Sequence, residues 1–511
     1  MFYSEKFLWI RTTLTEGEHN REFAKLYIDF PLFLHSFFEN CIMNLKTHEK
    51  VRGGFMSIQN LIAQYKENKN GISHCTFNPE GPGVVRIHLI PPKFRLFGDR
   101  TYIVILNGYY MLPLGYSWAL LLSKFMKEVN AFDGKPITEK DEEKIFRNTV
   151  KKTVAVYPSM DKNDIEEDLE FILRVLFAVA RGDDPEIEIE KLSLRQYSKN
   201  MTAPHRMDLL VSAMTDAEGK WQCNQKCRFC YAAGQCKGQT KELGTDDWKN
   251  VIDKLYKANV PMVTFTGGEP TMREDIAILV AHAEKMVTRL NTNGIKLTES
   301  LVNDLKKAGL DSVQITLYSH NEEVHNDLVG SEHFKDTVEG IKNAVKAGLD
   351  VSVNTPLCKK NEDYIKTLEF IKSLGVSFVT ISGLICTGMA EINHEEYDLS
   401  EDALFEIVKE AKMFCSFNEL EMDFTSPGLI SKEKLEAIGV NVPMCGAALS
   451  NMAVAPDGTV VPCQSWLDSD ADLGNILTDK FSDIWNNKKC LELRGMSDGE
   501  ALSCPFRVRA R

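Results

Sequence analysis

The chain has 511 residues, 43% of them hydrophobic and 26% charged, and a formal net charge of -13. That length exceeds one ordinary core and predicts roughly three domains of soluble, globular type. No long basic block offsets the acidic balance, and Arg507, Arg509 and Arg511 are too few to form one, so a general nucleic-acid groove is excluded.

Residues 1–10 lack a cationic start followed by an apolar core, so no signal peptide is predicted. Thirteen cysteines in such a chain point to metal work in the reducing cytoplasm rather than to disulfides. Residues 1–83 read as mostly helical, without an assignable task. Cys41, Cys75 and His74 have no metal-ligand spacing there, and the thiols read as buried structural groups. Residues 102–123 carry no charge, long enough to span a bilayer. Asn107-Gly108 between two alternating apolar runs instead predicts a two-residue hairpin, and Pro113 and Gly115 break the run before a helix over 117–129. No membrane partner is expected. A polar stretch follows, then a helix capped by Asp161 or Asn163 with Ile165, Leu169, Ile172, Leu173 and Leu176 on its apolar face. Residues 186–199 read as a linker.

Over 205–390 strand and helix alternate six times, with Gly309, Gly348 and Gly375 at helix ends. Such alternation predicts a parallel sheet with right-handed crossovers, closing into an open barrel whose chemistry gathers at the carboxyl ends of the strands. The motifs fall at those ends. After the first strand, W-Q-C-N-Q-K-C-R-F-C-Y places Cys223, Cys227 and Cys230 in a C-x3-C-x2-C spacing flanked by Phe229 and Tyr231. A structural zinc site normally has four ligands. An iron–sulfur cube held by three thiolates leaves one iron open. After the second strand comes Gly267-Gly268-Glu269-Pro270, and Asn293, Thr316 and Asn354 end the next strands. His320, His325 and His333 share no standard zinc spacing and read as a loop wall and helix start. Residues 391–444 read as a charged helical bridge. Beyond it, Cys445 and Cys463 flank Pro456-Asp457-Gly458, a turn between two short strands that would bring both sulfurs to the hairpin base. Cys490 and Cys504 follow.

The Cys triad with its aromatic resembles the radical S-adenosylmethionine (radical SAM) signature, and the G-G-E-P element at that distance downstream resembles the family's second motif. The resemblance implies a SAM-binding 4Fe–4S cluster on Cys223, Cys227 and Cys230. It also implies SAM contacts from Phe229, Tyr231, Gly267, Gly268, Glu269, Pro270, Asn293, Thr316 and Asn354. Residues 445–511 resemble the SPASM/twitch domain and imply at most one auxiliary iron–sulfur cluster, on Cys445, Cys463, Cys504 and Cys490. Arg507 stands where a further Cys is usual. Residues 84–190 resemble in order and pattern the winged-helix domain that binds leader peptides of ribosomally made, modified peptides.

The expected fold is thus α/β. It comprises a partial (β/α)6 TIM-like barrel, an N-terminal α+β winged-helix-like domain and a small C-terminal iron–sulfur domain. The domains expected are 1–83, 84–190, 205–390, 391–444 and 445–511. The expected activity is reductive cleavage of SAM and hydrogen abstraction from a precursor peptide, with a ferredoxin or flavodoxin as electron donor. The alternatives are a family enzyme acting on a protein side chain or small molecule, and a non-catalytic iron–sulfur sensor. No residue is singled out as catalytic acid or base.

Overall fold

The computed structural model describes residues 73–183, with breaks at 82, 92–101, 109 and 157–160, then 192, 196, 198, 201–498 and 504. The expected helical segment before residue 73, Cys41, most of the linker at 186–199 and the terminal arginines lie outside the described residues.

The first unit is an antiparallel meander, β1 (Ser73–Phe77), β2 (Val85–Ile90), β3 (Tyr102–Leu106) and β4 (Tyr110–Leu114), paired in that order. Asn107 and Gly108 both take positive φ, 47° and 67°, which fits a two-residue hairpin to the strand twist. Helices α1 (Tyr116–Val129), α2 (Glu139–Val156) and α3 (Lys162–Arg181) follow. Asp161 caps α3 by accepting from the Asn163 N–H at 2.8 Å, and Ile165, Leu169, Ile172 and Leu176 are buried as expected. Among the described residues no helix is long and apolar enough to cross a membrane.

Two expectations fail in this unit. β1 lies in a stretch read as helical, because only Cys75 and Phe77 mark its inner face and five residues are too few for a clear period. α2 lies in the stretch read as merely polar. Its buried stripe is Ile145, Thr149, Val150 and Thr153, half of it threonine, so the apolar signal is weak.

The barrel strands are β5 (Arg206–Ser212), β6 (Met262–Gly267), β7 (Val287–Thr292), β8 (Ser312–Thr316), β9 (Asp350–Pro356) and β10 (Phe378–Ser382). All pair in parallel, each with the next. Crossover helices include α4 (Thr245–Lys257), α5 (Ile276–His282), α6 (Glu299–Lys307), α7 (Glu322–Val329), α8 (Phe334–Lys346) and α9 (Tyr364–Ser373). Val263, Phe265, Leu290, Val313, Ile315, Val353, Val379 and Ile381 are fully buried towards these helices in one core with Trp248, Leu305 and Ile341. Alternate residues face inwards, forming an open trough.

The sheet extends beyond six strands at both edges. After α10 (Met389–Tyr397) and α11 (Glu401–Phe417), the segment expected to be only helical contributes β11 (Glu421–Phe424), parallel to β10. A four-residue strand leaves no periodic trace in the sequence. At the other edge, after α12 (Lys432–Ala437), β12 (Asn451–Val454) pairs in parallel with β5 and antiparallel with β13 (Val460–Val461). The C-terminal hairpin therefore belongs to the barrel's own sheet. α13 (Phe481–Asn486) and α14 (Lys488–Asp498) pack behind it.

The N-terminal meander docks at the amino ends of the barrel strands. His205 Nε2 meets the Gly108 carbonyl at 2.8 Å, Arg86 pairs with Asp311, and a Cβ on Gly108 would lie 2.8 Å from Met262 Cε. The Cys triad and the G-G-E-P turn lie at the opposite, carboxyl ends.

Candidate active site

The Cys triad sits on the loop after β5, held by backbone bonds at both sides. Lys226 N donates to Val329 O and Arg228 N to Leu328 O, each at 2.9 Å, which ties the loop to the end of α7. Gly330, at φ +60°, is required there, since a Cβ would come within 2.6 Å of Lys226 O. Phe229, between Cys227 and Cys230, is buried edge-on against Tyr318 (5.4 Å) and Tyr397 (5.7 Å). It forms a dry wall behind the thiols.

All three thiols are free. Burial pushes Cys223 up to about 12, with Glu269 adding repulsion, and pushes Cys227 well above its ordinary value, with Cys230 and Cys223 next in effect. Cys230 is raised by burial too. Three crowded, desolvated thiols that raise one another's proton affinity need a cationic centre to exist as thiolates. The amide nitrogens of Asn224 and Gln225 beside them are buried without a hydrogen-bond partner. An all-sulfur set with no fourth side-chain ligand fits an iron–sulfur cluster with one open iron. Among the described residues no group of three or more His, Cys, Asp or Glu converges as for a single metal ion.

The other expected contacts divide by role. Gly267 (φ +134°) and Gly268 let the end of β6 approach β5: a Cβ would lie 2.3 Å from Ser212 O and 2.6 Å from Ala213 O respectively. Pro270 is buried and opens a short 3-10 turn. The Glu269 carboxylate is occupied within the protein. It accepts from Thr271 N (3.0 Å), Thr271 Oγ1 (2.5 Å), Thr292 Oγ1 (2.7 Å) and Asn293 N (2.8 Å). Burial raises its pKa and those donors oppose the rise. Asn293 reaches the cluster loop, donating from Nδ2 to Asn224 Oδ1 at 2.6 Å. Thr316 and Asn354 are paired in register at the trough, where Asn354 Oδ1 accepts from Thr380 Oγ1 at 2.9 Å.

The three histidines are separate. His325 is buried, accepts from Tyr318 N at 3.3 Å and packs on Phe334, the wall expected for it. His320 meets Thr367 and His333 meets Asp336.

In the C-terminal unit Cys463 is pushed up to about 12 by burial, with Cys504 and Cys445 adding their charges, so these three thiols are neighbours. Cys490 departs from the expected ligand set. It is fully buried in the main core beside Ile484 and Trp485, and accepts from Arg494 Nη2 at 3.2 Å. The Arg494 guanidinium also lies 3.3 Å from the centre of the Trp485 ring. Thiol spacing along a chain cannot reveal that α14 turns this sulfur away from the others.

Two residues that the sequence did not mark join the site together. The buried Tyr318 side chain lies beside Cys227 and against Phe229. Gln235, buried, donates from Nε2 to Ser465 O (3.0 Å) and accepts at Oε1 from Leu467 N (2.8 Å), clamping the first Cys loop to the second Cys unit. Tyr231 lies between them, buried near both Cys230 and Cys463. A lone glutamine or tyrosine carries no sequence signal of this kind.

Residues 222–374 match the radical SAM superfamily and residues 445–505 match SPASM, an iron–sulfur cluster-binding domain. The AdoMet-dependent heme synthase of Methanosarcina barkeri is 28% identical over 295 residues, 55% of this chain and 83% of that protein. The crystal structure of Streptococcus suis SuiB superposes with a TM-score of 0.56 at 15% identity, over 83% of this chain and 96% of SuiB. SuiB bound to its precursor peptide SuiA gives 0.54, also at 15% identity, over 80% and 93%. These structural likenesses are likenesses of fold. A radical SAM domain implies a 4Fe–4S cluster with SAM, a SPASM domain implies an auxiliary cluster, and the two thiol groups fit them. The chain carries a radical SAM domain followed by a SPASM domain.

Proposed function

We propose that the protein is a radical SAM enzyme acting on a precursor peptide, giving a crosslinked, epimerised or oxidised product. The observation that carries this is the half-buried Cys223, Cys227 and Cys230 trio at the mouth of a polar, half-buried trough. When bound, the cluster and SAM supply a carbon-centred radical able to take hydrogen from an unactivated C–H bond. The chain's own residues set the conditions. Glu269 locks the ends of β6 and β7, Asn293 steadies the Cys loop, and Phe229, Tyr318 and Tyr397 keep water from it. A ferredoxin- or flavodoxin-like donor in the cytoplasm would supply the electron.

The peptide substrate is supported by the N-terminal meander, whose edge strand β4 accepts a backbone hydrogen bond from outside the sheet. Leu192 N donates to Met111 O at 2.9 Å, the bonding by which a peptide adds to a strand edge. The likeness of fold to SuiB, solved with a precursor peptide, spans 80% of this chain. The likeness to a heme synthase favours a second reading, a small-molecule substrate with the N-terminal unit only structural.

The test is anaerobic reconstitution. The intact protein is expected to hold iron and sulfide and to release 5′-deoxyadenosine and methionine from SAM under a low-potential reductant. Replacing Cys223, Cys227 and Cys230 together by Ala should abolish both the SAM-site iron and the release. Full release by that variant would sink the reading; a chain that binds iron yet never cleaves SAM would point to a sensor.

A further inference from the structure

Inside the barrel the side chains facing the trough are polar and half-exposed: Arg289 and Asn291 on β7, Gln314 and Thr316 on β8, Asn354 on β9. Strand register sets them in rows. Asp208, Thr264, Arg289, Ser312 and Asp350 are successive partners across one row, towards the amino ends. Asn291, Gln314 and Ser352 form the row above, nearer the Cys loop.

The lower row is charged, and its charges are unevenly matched. Asp208 is taken by Arg206, whose Nε lies 2.8 Å from one carboxylate oxygen. Asp350 is exposed at the start of β9. Arg289 sits between them, half-buried in the trough, and among the described residues it makes neither a hydrogen bond nor an ion pair. Burial and the charge of Arg206 push its pKa down, while Asp350 and Asp208 pull it up from a distance. On the same face Thr264 Oγ1, Asn291 Oδ1 and Ser352 Oγ are buried and without hydrogen-bond partners, as are Arg206 Nε and Asp208 Oδ1 of the neighbouring ion pair. Buried polar atoms left unpaired on one concave face mark a place where a polar ligand completes the bonding.

We propose that Arg289 binds a carboxylate of the substrate at the floor of the trough, below the Cys loop. The guanidinium fork matches a carboxylate with two parallel N–H···O bonds. With Arg206 paired to Asp208, Arg289 is the guanidinium of this row that no described carboxylate reaches within ion-pair distance, and a substrate carboxylate would supply that partner. This inference rests on the trough being the substrate chamber of the proposed enzyme. The same carboxylate chemistry could come from an acidic side chain of a peptide or from a propionate of a tetrapyrrole.

The experiment uses the full-length, reconstituted protein with SAM, kept anaerobic, and measures binding by calorimetry. One probe pair is acetyl-Gly-Glu-Gly amide against its Gln counterpart; the other is mesoporphyrin against its dimethyl ester. At least one acid is expected to bind about ten-fold or more tighter than its neutral partner, the scale of a charge-assisted pair. Which pair shows the preference identifies the source. Arg289→Met should erase the preference and Arg289→Lys should weaken it several-fold, with melting temperature confirming that each folds. Equal binding of acid and neutral probes by the unmodified protein overturns the proposal, as does a preference that survives in Arg289→Met. Release of 5′-deoxyadenosine by the unmodified protein is read separately. Its failure with the acid preference intact removes the enzyme reading and leaves the site.

Discussion

At the scale of single residues, Glu269 carries more structure than its motif suggests. Its carboxylate gathers two backbone N–H groups and two hydroxyls from three residues at the ends of β6 and β7. Glu269→Ala would leave those donors buried and unpaired, which costs about 3 kcal/mol or more. Thermal or denaturant unfolding of the apoprotein should show that loss without any cluster present, and an unchanged midpoint would contradict the role. Glu269→Gln, which keeps one carbonyl oxygen, should lose less. Arg494 has a similar character. By covering Cys490 and stacking on Trp485 it turns a thiol that the sequence offered as a ligand into a core residue.

At the scale of elements, the contact between meander and barrel is rich in neutral imidazoles. His74 of β1 lies edge-on to His88 of β2, 4.8 Å between ring centres, and 4.7 Å from Tyr256 of α4. Burial lowers His74 to about 4 and His88 well below its ordinary 6.5. A histidine whose folded pKa is depressed contributes stability that is complete above 6.5 and is lost as pH falls towards the folded value. The meander should therefore loosen from the barrel between pH 6.5 and about 4, with His74 alone accounting for on the order of 3 kcal/mol at the acid end. Denaturation midpoints measured across that range should fall, and His74→Phe should flatten the slope. A His74→Phe profile parallel to that of the unmodified protein would rule the interface out as the cause.

At the scale of the whole molecule, the two cysteine units share one sheet. β12 completes the edge of β5, and Gln235 and Lys237 stitch the first Cys loop to the second unit through Ser465, Leu467, Thr459 and Asp457. A chain ending before Cys445 would bare the β5 edge, whose residues from Met207 to Ser212 are buried. Unpaired apolar edges recruit other chains. Light scattering of such a truncation should show aggregation at concentrations where the full chain does not; a monodisperse truncation with the same melting temperature would show that the edge tolerates exposure.

The strands β5 to β10, the Asn107-Gly108 hairpin, the cap at Asp161 and the Cys triad were all legible in the chain because each is a local pattern: a period, a turn pair, a cap or a spacing. Four-residue β11, α2 with its half-threonine buried stripe, and five-residue β1 were not, since each is too short or too polar to leave a period. What only the tertiary structure decided are relations between distant segments: the withdrawal of Cys490 by Arg494, the bonding of Glu269 across two strand ends, the pairing of β12 with β5, and the unmatched Arg289 among buried polar atoms. Spacing along a chain fixes which residues can share a turn. Burial, and the need to satisfy every polar group removed from water, fixes which distant ones meet.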